Sequence, residues 1–478
     1  MGMKILVLGA GEVGSTVARN LVGNRNNDVT VIDKDERTIQ KLGDAIDIQT
    51  ILGNAASPVT LAAAKADDAD LLLALTRSDE CNLVACLLCK KIFHVPSAIA
   101  RVSHSEFIDY GLSDEGGESR QSGAALPKTA LDYFCVDESI CPEQLVQEQV
   151  MHLFAYPNAL QVLEFADGKA QMIVARSGEG GWCVGLAVDE IYERLGEAGA
   201  QLDIVSIYRN ASPLQVTGKT RIILGDEVAF VAPKQYVPAV MDALRGDNRP
   251  AKKIMIAGGG NIGFRIAKAC EERYNAKLIE SSPTRAAWLA DRLDYTLVLL
   301  GSATSEEMLE RERVEDVDVF CAVTDLDEDN IMSSLLAKNY GAKRVISIVN
   351  RPSYVDLIQG NKIDIVLSPH TSTIGSILAH IRRSDVVASH PMRRGHSEAL
   401  EAVVHGTRKT SKIVGRPKSQ LRWPHGCSVA AIYRGDLFIP GHASDYILED
   451  NDHVIFYAEN KDAVSELEKM IQVKLTFF

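Results

Sequence analysis

Two glycine-rich segments have the residue types and spacing to bind the phosphates of a nucleotide. They are Gly9, Ala10, Gly11, Glu12, Val13 and Gly14 in the first half of the chain, and Gly258, Gly259, Gly260, Asn261, Ile262 and Gly263 in the second. Each follows a short apolar stretch and precedes a helical pattern, the context in which G-x-G-x-x-G binds a dinucleotide. The glycines permit a tight turn and close approach of the backbone to a pyrophosphate, and the helix N-terminus supplies unpaired N–H groups.

An acidic residue follows each segment at the distance typical of a ribose-binding carboxylate. Asp33 lies 19 residues after Gly14, and Glu280 lies 17 residues after Gly263. Such a carboxylate accepts hydrogen bonds from ribose hydroxyls and would repel a 2′-phosphate, so the sequence favours NAD(H) over NADP at both segments. The alternative is that the glycines only pack a helix against a strand.

The charges near the two segments differ. Neither has Lys or Arg between its second and third glycines, and Glu12 would oppose a γ-phosphate, so NAD(H) is favoured over ATP in the first segment. The second carries the longer Glu280 and has Arg265 nearby, which leaves ATP or ADP open as its ligand.

Further ligand contacts are expected where parallel strands end, because open α/β sheets bind ligands at that edge. In the first half these are Thr76 and Arg77 after the fourth predicted strand, and Arg101 in the fifth. Arg101 lies in an apolar strand and needs an anion, either a pyrophosphate or a carboxylate of the protein. The predicted counterparts in the second half are Thr324-Asp325 and Val349-Asn350.

The chain is a tandem duplication. Gly9 and Gly258 are 249 residues apart, Asp33 and Glu280 are 247 apart, and other landmarks, Thr76 with Thr324 among them, keep an offset of 248. Later landmarks are offset by about 225, so the first copy contains an insertion. Residues 112–129, rich in Gly and Ser, are the predicted insertion.

The patterns predict an α/β fold with two doubly wound parallel sheets, each followed by a small α+β module. In the first half, apolar runs at 4–8, 29–32, 48–52, 70–75 and 98–102 alternate with helical patterns. Extra helices at 142–154 and 371–382 are predicted to leave their sheets and to act as hinges. The predicted domains are residues 1–140, 141–246, 251–385 and 386–478.

Composition excludes several classes of function. The chain has 478 residues, a net charge of −13 and no apolar run near the 18–20 residues of a membrane span, which argues against nucleic-acid binding and for a cytoplasmic protein. Cys81, Cys86 and Cys89 lie in a helical pattern and are interpreted as buried thiols rather than metal ligands. His94, His104 and His370 show no catalytic spacing and are expected to be solvated, so no catalytic or metal-binding residue is predicted.

The doubled arrangement resembles the RCK (or KTN) family, the nucleotide-binding regulatory subunits of bacterial potassium uptake systems such as the Trk system. The resemblance rests on the two glycine-rich segments with their acids, and on Gly53-Asn54, the stretch from Thr76 to Asn82, Arg101, Gly301 and the stretch from Thr324 to Asn330. It covers essentially the whole chain. Glu12 and the insertion at 112–129 depart from the family pattern.

This resemblance implies a ring of such lobes, docked on the cytoplasmic face of the inner membrane beneath an integral membrane potassium-translocating subunit. It also implies that NAD(H), and in some members ATP or ADP, binds the glycine-rich lobes and changes the shape of the ring. The implied contacts are Gly9 to Val13, Asp33, Asn54, Thr76, Arg77 and Arg101, then Gly258 to Ile262, Glu280 and Thr324. The resemblance therefore implies a regulatory protein rather than an enzyme.

Two other functions are compatible with nucleotide-binding folds. An NAD-dependent oxidoreductase would need a substrate domain and a positioned acid or base, and the small modules look too slight to enclose a substrate. A free-standing nucleotide sensor would bind a soluble partner instead of a membrane subunit.

Overall fold

The first half of the chain forms a parallel sheet of six strands. The computed structural model describes residues 2–22, 27–104, 107–108, 129–156, 158–210, 212–246, 250–358, 363–381, 386–392, 397–443 and 445–471. The strands are β1 (Lys4–Leu8), β2 (Asp28–Asp33), β3 (Gln49–Leu52), β4 (Leu71–Ala74), β5 (Ser97–Arg101) and β6 (Glu138–Ile140). Their order is β3-β2-β1-β4-β5-β6, which is the doubly wound arrangement.

Helices connect these strands. They are α1 (Glu12–Val22), α2 (Glu36–Ala45), α3 (Pro58–Ala63), α4 (Asp79–Lys91), α5 (Ala130–Tyr133) and α6 (Pro142–Ala155). The chain order reverses between β1 and β4, so α1 and α4 begin at the sheet edge where such folds bind ligands. The sequence predicted five strands here. The sixth, β6, is only three residues long and too short to give a periodic pattern.

A five-stranded antiparallel sheet follows. Its elements are β7 (Ala159–Phe165), β8 (Ala170–Arg176), α7 (Val188–Leu195), α8 (Glu197–Ala200), β9 (Asp203–Arg209), β10 (Ser212–Leu214), β11 (Glu227–Pro233) and α9 (Val237–Arg245). The strand order is β10-β9-β11-β8-β7. This sheet with its helices is the small α+β module that the sequence predicted after the first parallel sheet.

The second half repeats both sheets. Its parallel sheet contains β12 (Lys253–Ala257), α10 (Asn261–Cys270), β13 (Asn275–Glu280), α11 (Pro283–Ala290), β14 (Leu297–Leu300), α12 (Glu306–Arg311), β15 (Val319–Ala322), α13 (Asp327–Asn339), β16 (Arg344–Ile348), α14 (Pro352–Ile358), β17 (Ile365–Leu367) and α15 (Pro369–Ile381). The antiparallel sheet contains β18 (Val386–Pro391), β19 (Glu398–Val404), β20 (Cys427–Arg434), β21 (Leu437–Pro440), β22 (Asp452–Ala458) and α16 (Lys461–Ile471). The orders, β14-β13-β12-β15-β16-β17 and β18-β19-β22-β20-β21, reproduce the first half, so the predicted fold class and duplication are confirmed.

The contacts divide the chain into two compact units. One contains Met1–Leu145 and His370–Leu378, and the other contains Val146–Pro369 and Ala379–Phe478. The four predicted domain boundaries stay a prediction. Residues 112–128 of the predicted insertion lie outside the described residues. Within the described part of the chain, none of the helices has the length and apolar character needed to cross a membrane.

Inside the second unit, the two antiparallel sheets share one hydrophobic core. Leu163, Phe165 and Met172 from the first sheet pack in the same cluster as Phe438 and Ile455 from the second. Such burial stabilises the pair by about 1.5–3 kcal/mol for each large side chain. The copies of the small module are therefore packed against each other within one chain.

Candidate nucleotide-binding site

The first glycine-rich loop has the backbone that a phosphate site requires. Gly9 adopts a φ of +99°, and its N–H donates to the carbonyl oxygen of Ile32 at 2.8 Å. A Cβ atom on Gly14 would overlap the carbonyl oxygen of Gly9, so only glycine allows α1 to pack this closely. A Cβ atom on Gly11 would meet nothing within 4 Å. The loop is thus closed on the protein side and open at its second glycine, where a pyrophosphate would approach.

Asp33 is fixed beside this loop at the end of β2. Its Oδ2 accepts a hydrogen bond from the Ala10 N–H at 2.6 Å, and its Oδ1 accepts one from the Asp35 N–H at 2.9 Å. The side chain is only partly buried, so its oxygens keep access to solvent. This arrangement holds a carboxylate next to the glycine-rich turn, where it could accept hydrogen bonds from ribose hydroxyls.

A buried asparagine joins the ends of β4 and β5. Asn82, on α4, is fully buried, and its Oδ1 accepts hydrogen bonds from the N–H of Thr76 at 3.0 Å and from its hydroxyl at 2.7 Å. Its Nδ2 donates to the carbonyl oxygens of Thr76 at 3.1 Å and Arg101 at 2.9 Å. Asn82 therefore positions two residues that the sequence predicted as ligand contacts.

A second buried polar residue on the same helix fixes the loop after β5. Asp79 is 3% exposed and accepts hydrogen bonds from the N–H groups of Ser103 and His104, with distances of 2.8–3.0 Å. The His104 Nδ1 atom lies 2.7 Å from Asp79 Oδ2. The His104 side chain is 61% exposed, which agrees with the prediction that it is solvated, and its ring also pairs with this carboxylate.

Two arginines bring positive charge to this edge of the sheet. Arg77 follows β4 and is exposed, whereas Arg101 is partly buried and its Nε atom is buried without a hydrogen-bond partner among the described residues. A buried guanidinium nitrogen without a partner is costly, and an anionic ligand would satisfy it. Asn54 is exposed, with its Oδ1 accepting from the Ala56 N–H at 2.9 Å.

The second glycine-rich loop keeps the same backbone. Gly258 has a φ of +106°, and a Cβ atom on Gly263 would overlap the Gly258 carbonyl oxygen. The Gly259 N–H donates to Glu280 Oε2 at 2.8 Å, and a Cβ atom on Gly259 would overlap Leu289 and approach that carboxylate. Glycine therefore replaces Ala10 here because the longer acid and Leu289 fill the space of a methyl group.

The second loop differs from the first in its charges. The Asn330 amide donates to the carbonyl of Ile348 at 3.0 Å, as the Asn82 amide donates to Arg101. The counterpart of Arg101 is therefore Ile348, at an offset of 247 residues. The predicted counterpart, Val349-Asn350, was wrong because it assumed an offset of 248. Asp325 stands in the place of Arg77, and its carboxylate lies 3.8 Å from where a Cβ atom on Gly260 would be. The second loop lacks both arginines of the first.

Other side chains also distinguish the second loop. The Arg285 Nε atom donates to the carbonyl oxygen of Gly259 at 2.7 Å, and its guanidinium lies 4.0 Å from the centre of the Trp288 ring. Arg265, on α10, has a buried Nη2 atom without a hydrogen-bond partner in the described regions. Thr324 keeps both hydrogen bonds to the Asn330 oxygen, at 2.7 Å each.

The remaining predicted contacts lie at the N-termini of the two helices. Val13 is buried and Ile262 is partly buried, so both pack against the protein, whereas Asn261 is exposed. The Glu12 carboxylate is exposed and lies 2.7 Å from His370 Nδ1. His370 is thus partly solvated, with 31% of its side chain exposed, and it also contacts a carboxylate, which the sequence did not predict.

The buried thiols are part of the core beneath this edge. Cys86 and Cys89 are fully buried on α4, and burial raises the pKa of both, that of Cys89 to about 12. Thiols with such pKa values stay protonated at neutral pH and are poor metal ligands. Cys81 is partly buried.

Four buried polar residues at this edge were not predicted as site residues. They are Asp79 and Asn82 in the first half, and Asp327 and Asn330 in the second. The signal was present, because both pairs recur at the same offset of 248 in the first turns of equivalent helices. Polar side chains buried at such positions need specific partners.

Comparisons with known proteins agree with this geometry. Residues 5–113 and 254–369 match the model of the TrkA-N domain, and residues 408–472 match that of the TrkA-C domain. The chain is 40% identical over 476 residues to the Trk system potassium uptake protein TrkA of Halomonas elongata, and the match covers 100% of both chains. The chain belongs to the TrkA family. It is also 40% identical over 470 residues to TrkA of Vibrio alginolyticus, with 98% of this chain and 99% of the relative covered.

Solved structures share the fold of this TrkA-family chain. The GsuK RCK domain superposes with a TM-score of 0.58 and 18% identity, over 98% of this chain and 95% of its own. The structure titled "GsuK channel bound to NAD" has a TM-score of 0.58 and 16% identity, with 98% and 79% covered. The tandem RCK architecture implied by the resemblance is therefore confirmed.

Proposed function

We propose that the chain is a nucleotide-binding regulatory subunit that gates the ion-conducting membrane subunit of a potassium uptake system. NAD(H) at the first glycine-rich loop is the signal, and the chain itself carries out no chemical reaction. The observation that carries this proposal is the first loop, where Asp33, the open Gly11 and the unpartnered Arg101 nitrogen form one edge in a TrkA-family chain.

The residues of the first loop fit a dinucleotide diphosphate. Gly11 leaves space for the phosphates, the N-terminus of α1 provides N–H donors, and Arg101 provides a cation. Asp33 would accept hydrogen bonds from a ribose and would repel a 2′-phosphate. When bound, the cofactor would supply the negative charge that the N–H groups of α1 and the Arg101 guanidinium would hold.

ATP and ADP are expected to compete at the same loop. The sequence left ATP and ADP open especially at the second loop, which has Arg265 nearby. Asp325 and Ile348 nevertheless replace the two arginines of the strand ends there, so that edge carries less positive charge than the first. ATP and ADP share the adenosine and diphosphate parts of NAD(H), which the first loop can accept. We propose that the second loop binds nucleotides more weakly than the first.

The partner is an integral membrane potassium-translocating subunit. The relatives are named as potassium uptake proteins, and no helix in the described regions of this chain could span a bilayer. The ion pathway of the proposed system belongs to the membrane subunit. We propose that copies of this chain form a homo-oligomeric ring on the cytoplasmic face of the inner membrane, against that subunit.

The gating itself is a population shift. A nucleotide that bridges the loop and the strand ends binds one arrangement of the ring better than another, and it shifts the equilibrium only by that difference in affinity. Allosteric coupling of this kind is typically about 1–3 kcal/mol. Helices α6 and α15 contribute residues to both compact units, which supports their proposed role as hinges.

The test is potassium flux into vesicles that contain the membrane subunit, with and without this chain, and with NAD⁺, NADH, ATP or no nucleotide. A flux that depends on both the chain and a nucleotide supports the proposal. Unchanged flux under all nucleotides would overturn it. Steady consumption of NADH with a small substrate would favour an oxidoreductase, and recovery of only soluble partners on pull-down would favour a free-standing sensor.

A further inference from the structure

The first nucleotide loop contacts a helix that lies more than 350 residues away in the sequence. The Nδ1 atom of His370, the second residue of α15, is 2.7 Å from Oε2 of Glu12, the first residue of α1. The His370 side chain is 31% exposed and that of Glu12 is 56% exposed. Both belong to the compact unit that contains Met1–Leu145 and His370–Leu378. The contact therefore lies inside one packed unit.

The two atoms of this contact are close, but they do not have the geometry of a directed hydrogen bond. The His370 Nδ1 atom is buried and makes no hydrogen bond of acceptable geometry among the described residues, although the Glu12 oxygen is close. A side chain that lies this close to the Glu12 carboxylate can hold it and compensate its negative charge, which would otherwise act in full at the entrance of the loop.

The position of Glu12 makes that charge consequential. It is adjacent to Gly11, the open position of the loop, and it is at the N-terminus of α1. A carboxylate at a helix N-terminus interacts with the same N–H groups and the same dipole end that would bind a phosphate. Glu12 therefore competes with an anionic ligand unless another group holds it or neutralises it.

We propose that His370 is a positioning residue that controls which nucleotide the first loop accepts, by holding and neutralising Glu12. This inference rests on the proposed function, because it requires nucleotide binding at the first loop. With Glu12 held in the pair, the first loop admits an anionic nucleotide, whereas an unpaired Glu12 would repel nucleotides and would repel the more highly charged ATP more than NAD(H). By reciprocity, a bound nucleotide favours the Glu12–His370 pair and so strengthens the contact of α15 with the first loop.

The test is a double-mutant cycle on the full chain, with NADH and ATP affinities measured by calorimetry. His370→Gln is expected to weaken NADH binding about two- to fivefold, as expected for loss of an exposed ion pair, and to weaken ATP binding more. Glu12→Gln is expected to strengthen ATP binding relative to NADH. In the Glu12→Gln background, His370→Gln should have no further effect. With Glu12 intact, His370→Lys keeps a positive charge and should retain part of the wild-type affinity.

The matched control is His380→Gln, the same substitution on the same helix, which should leave both affinities unchanged. Hydrogen exchange provides an independent measurement, since NADH should slow exchange in residues 370–378 of the wild type but less in His370→Gln. If wild-type protein binds neither nucleotide, the proposed function itself fails. A different outcome is that the wild-type protein binds a nucleotide, but His370→Gln changes the affinity by the same factor whether residue 12 is Glu or Gln. In that case only the role of His370 is overturned.

Discussion

The side-chain amide of Asn82 donates a hydrogen bond to the carbonyl oxygen of Arg101 at 2.9 Å, and thereby joins the ends of two strands that both face the first loop. The same relationship recurs in the second half between Asn330 and Ile348 at 3.0 Å. The two asparagines make equivalent hydrogen bonds, but only the first supports a cation. The duplicated fold therefore preserves this asparagine hydrogen bond and varies the residue that the bond positions.

Replacement of Asn82 by Ala should both destabilise the protein and weaken nucleotide binding. Its loss would leave the partly buried N–H and C=O groups of Thr76 without these partners, at a cost of about 2–4 kcal/mol in the free energy of unfolding. Arg101 would also lose its fixed position. The measurements are urea unfolding and NADH titration below the unfolding transition.

Asn330→Ala is the matched control for that substitution. It removes the same set of hydrogen bonds, including those to Thr324, so it should reduce stability by a similar amount. It should leave NADH affinity at the first loop unchanged. Equal losses of affinity in both variants would mean that Asn82 acts only through general stability.

Gly11→Ala should strongly weaken nucleotide binding and leave the fold intact. A Cβ atom at Gly11 meets no protein atom within 4 Å, and its φ is not positive, so the free energy of unfolding should stay within about 0.5 kcal/mol of wild type. The methyl group would nevertheless occupy the position where a pyrophosphate approaches the backbone. We expect at least about a tenfold loss of NADH affinity by calorimetry.

Two other glycine variants are controls for the Gly11→Ala experiment. Gly14→Ala should impair folding, because its Cβ atom would overlap the carbonyl oxygen of Gly9. Gly260→Ala, at the equivalent position of the second loop, should fold and retain first-loop affinity. Wild-type NADH affinity in Gly11→Ala would show that the ligand does not lie against this loop.

The sequence predicted the parts of the fold that local patterns determine. Five strands of the first sheet, the glycine turns and their acids follow from apolar runs, glycine spacing and the repeat. Strand β6 was missed because Glu138–Ile140 is too short for a periodic signal. The contact between Glu12 and His370 was also missed, since it depends on how α15 packs and no local pattern encodes a partner so far away.

Asp33→Asn should narrow the preference for NADH over NADPH. The carboxylate would lose its charge near the ribose while an amide oxygen could still accept from the Ala10 N–H. Loss of a charged hydrogen-bond acceptor costs about 1.5–3 kcal/mol, so NADH affinity should fall about tenfold or more, whereas NADPH should be less affected. Competitive titration of the two cofactors measures the ratio of NADH affinity to NADPH affinity, with Glu280→Gln as the control. An unchanged ratio would place the ribose away from Asp33.

The shared core of the two antiparallel sheets should lose stability in acid through His390. This side chain lies on β18 with its ring 5.3 Å from that of Phe165, and burial lowers its pKa from 6.5 to about 4, partly opposed by the negative charge of Glu398. The unfolded chain binds a proton near pH 6.5 and the folded chain does not, so acid favours unfolding.

The part of the free energy of unfolding that depends on a neutral His390 is therefore fully present above pH 6.5, and it is lost as the pH falls toward about 4. Its upper limit is about 3 kcal/mol, and partial solvent access of the ring makes the real value smaller. We expect wild-type unfolding midpoints to fall more steeply across this window than those of His390→Asn, which lacks the titrating ring. His453→Asn removes a partly exposed histidine of the same sheet, which pairs with Glu401, and so controls for histidine loss in general. Parallel pH profiles for wild type and His390→Asn would contradict the prediction, because they would mean that His390 takes up its proton equally in the folded and unfolded chains.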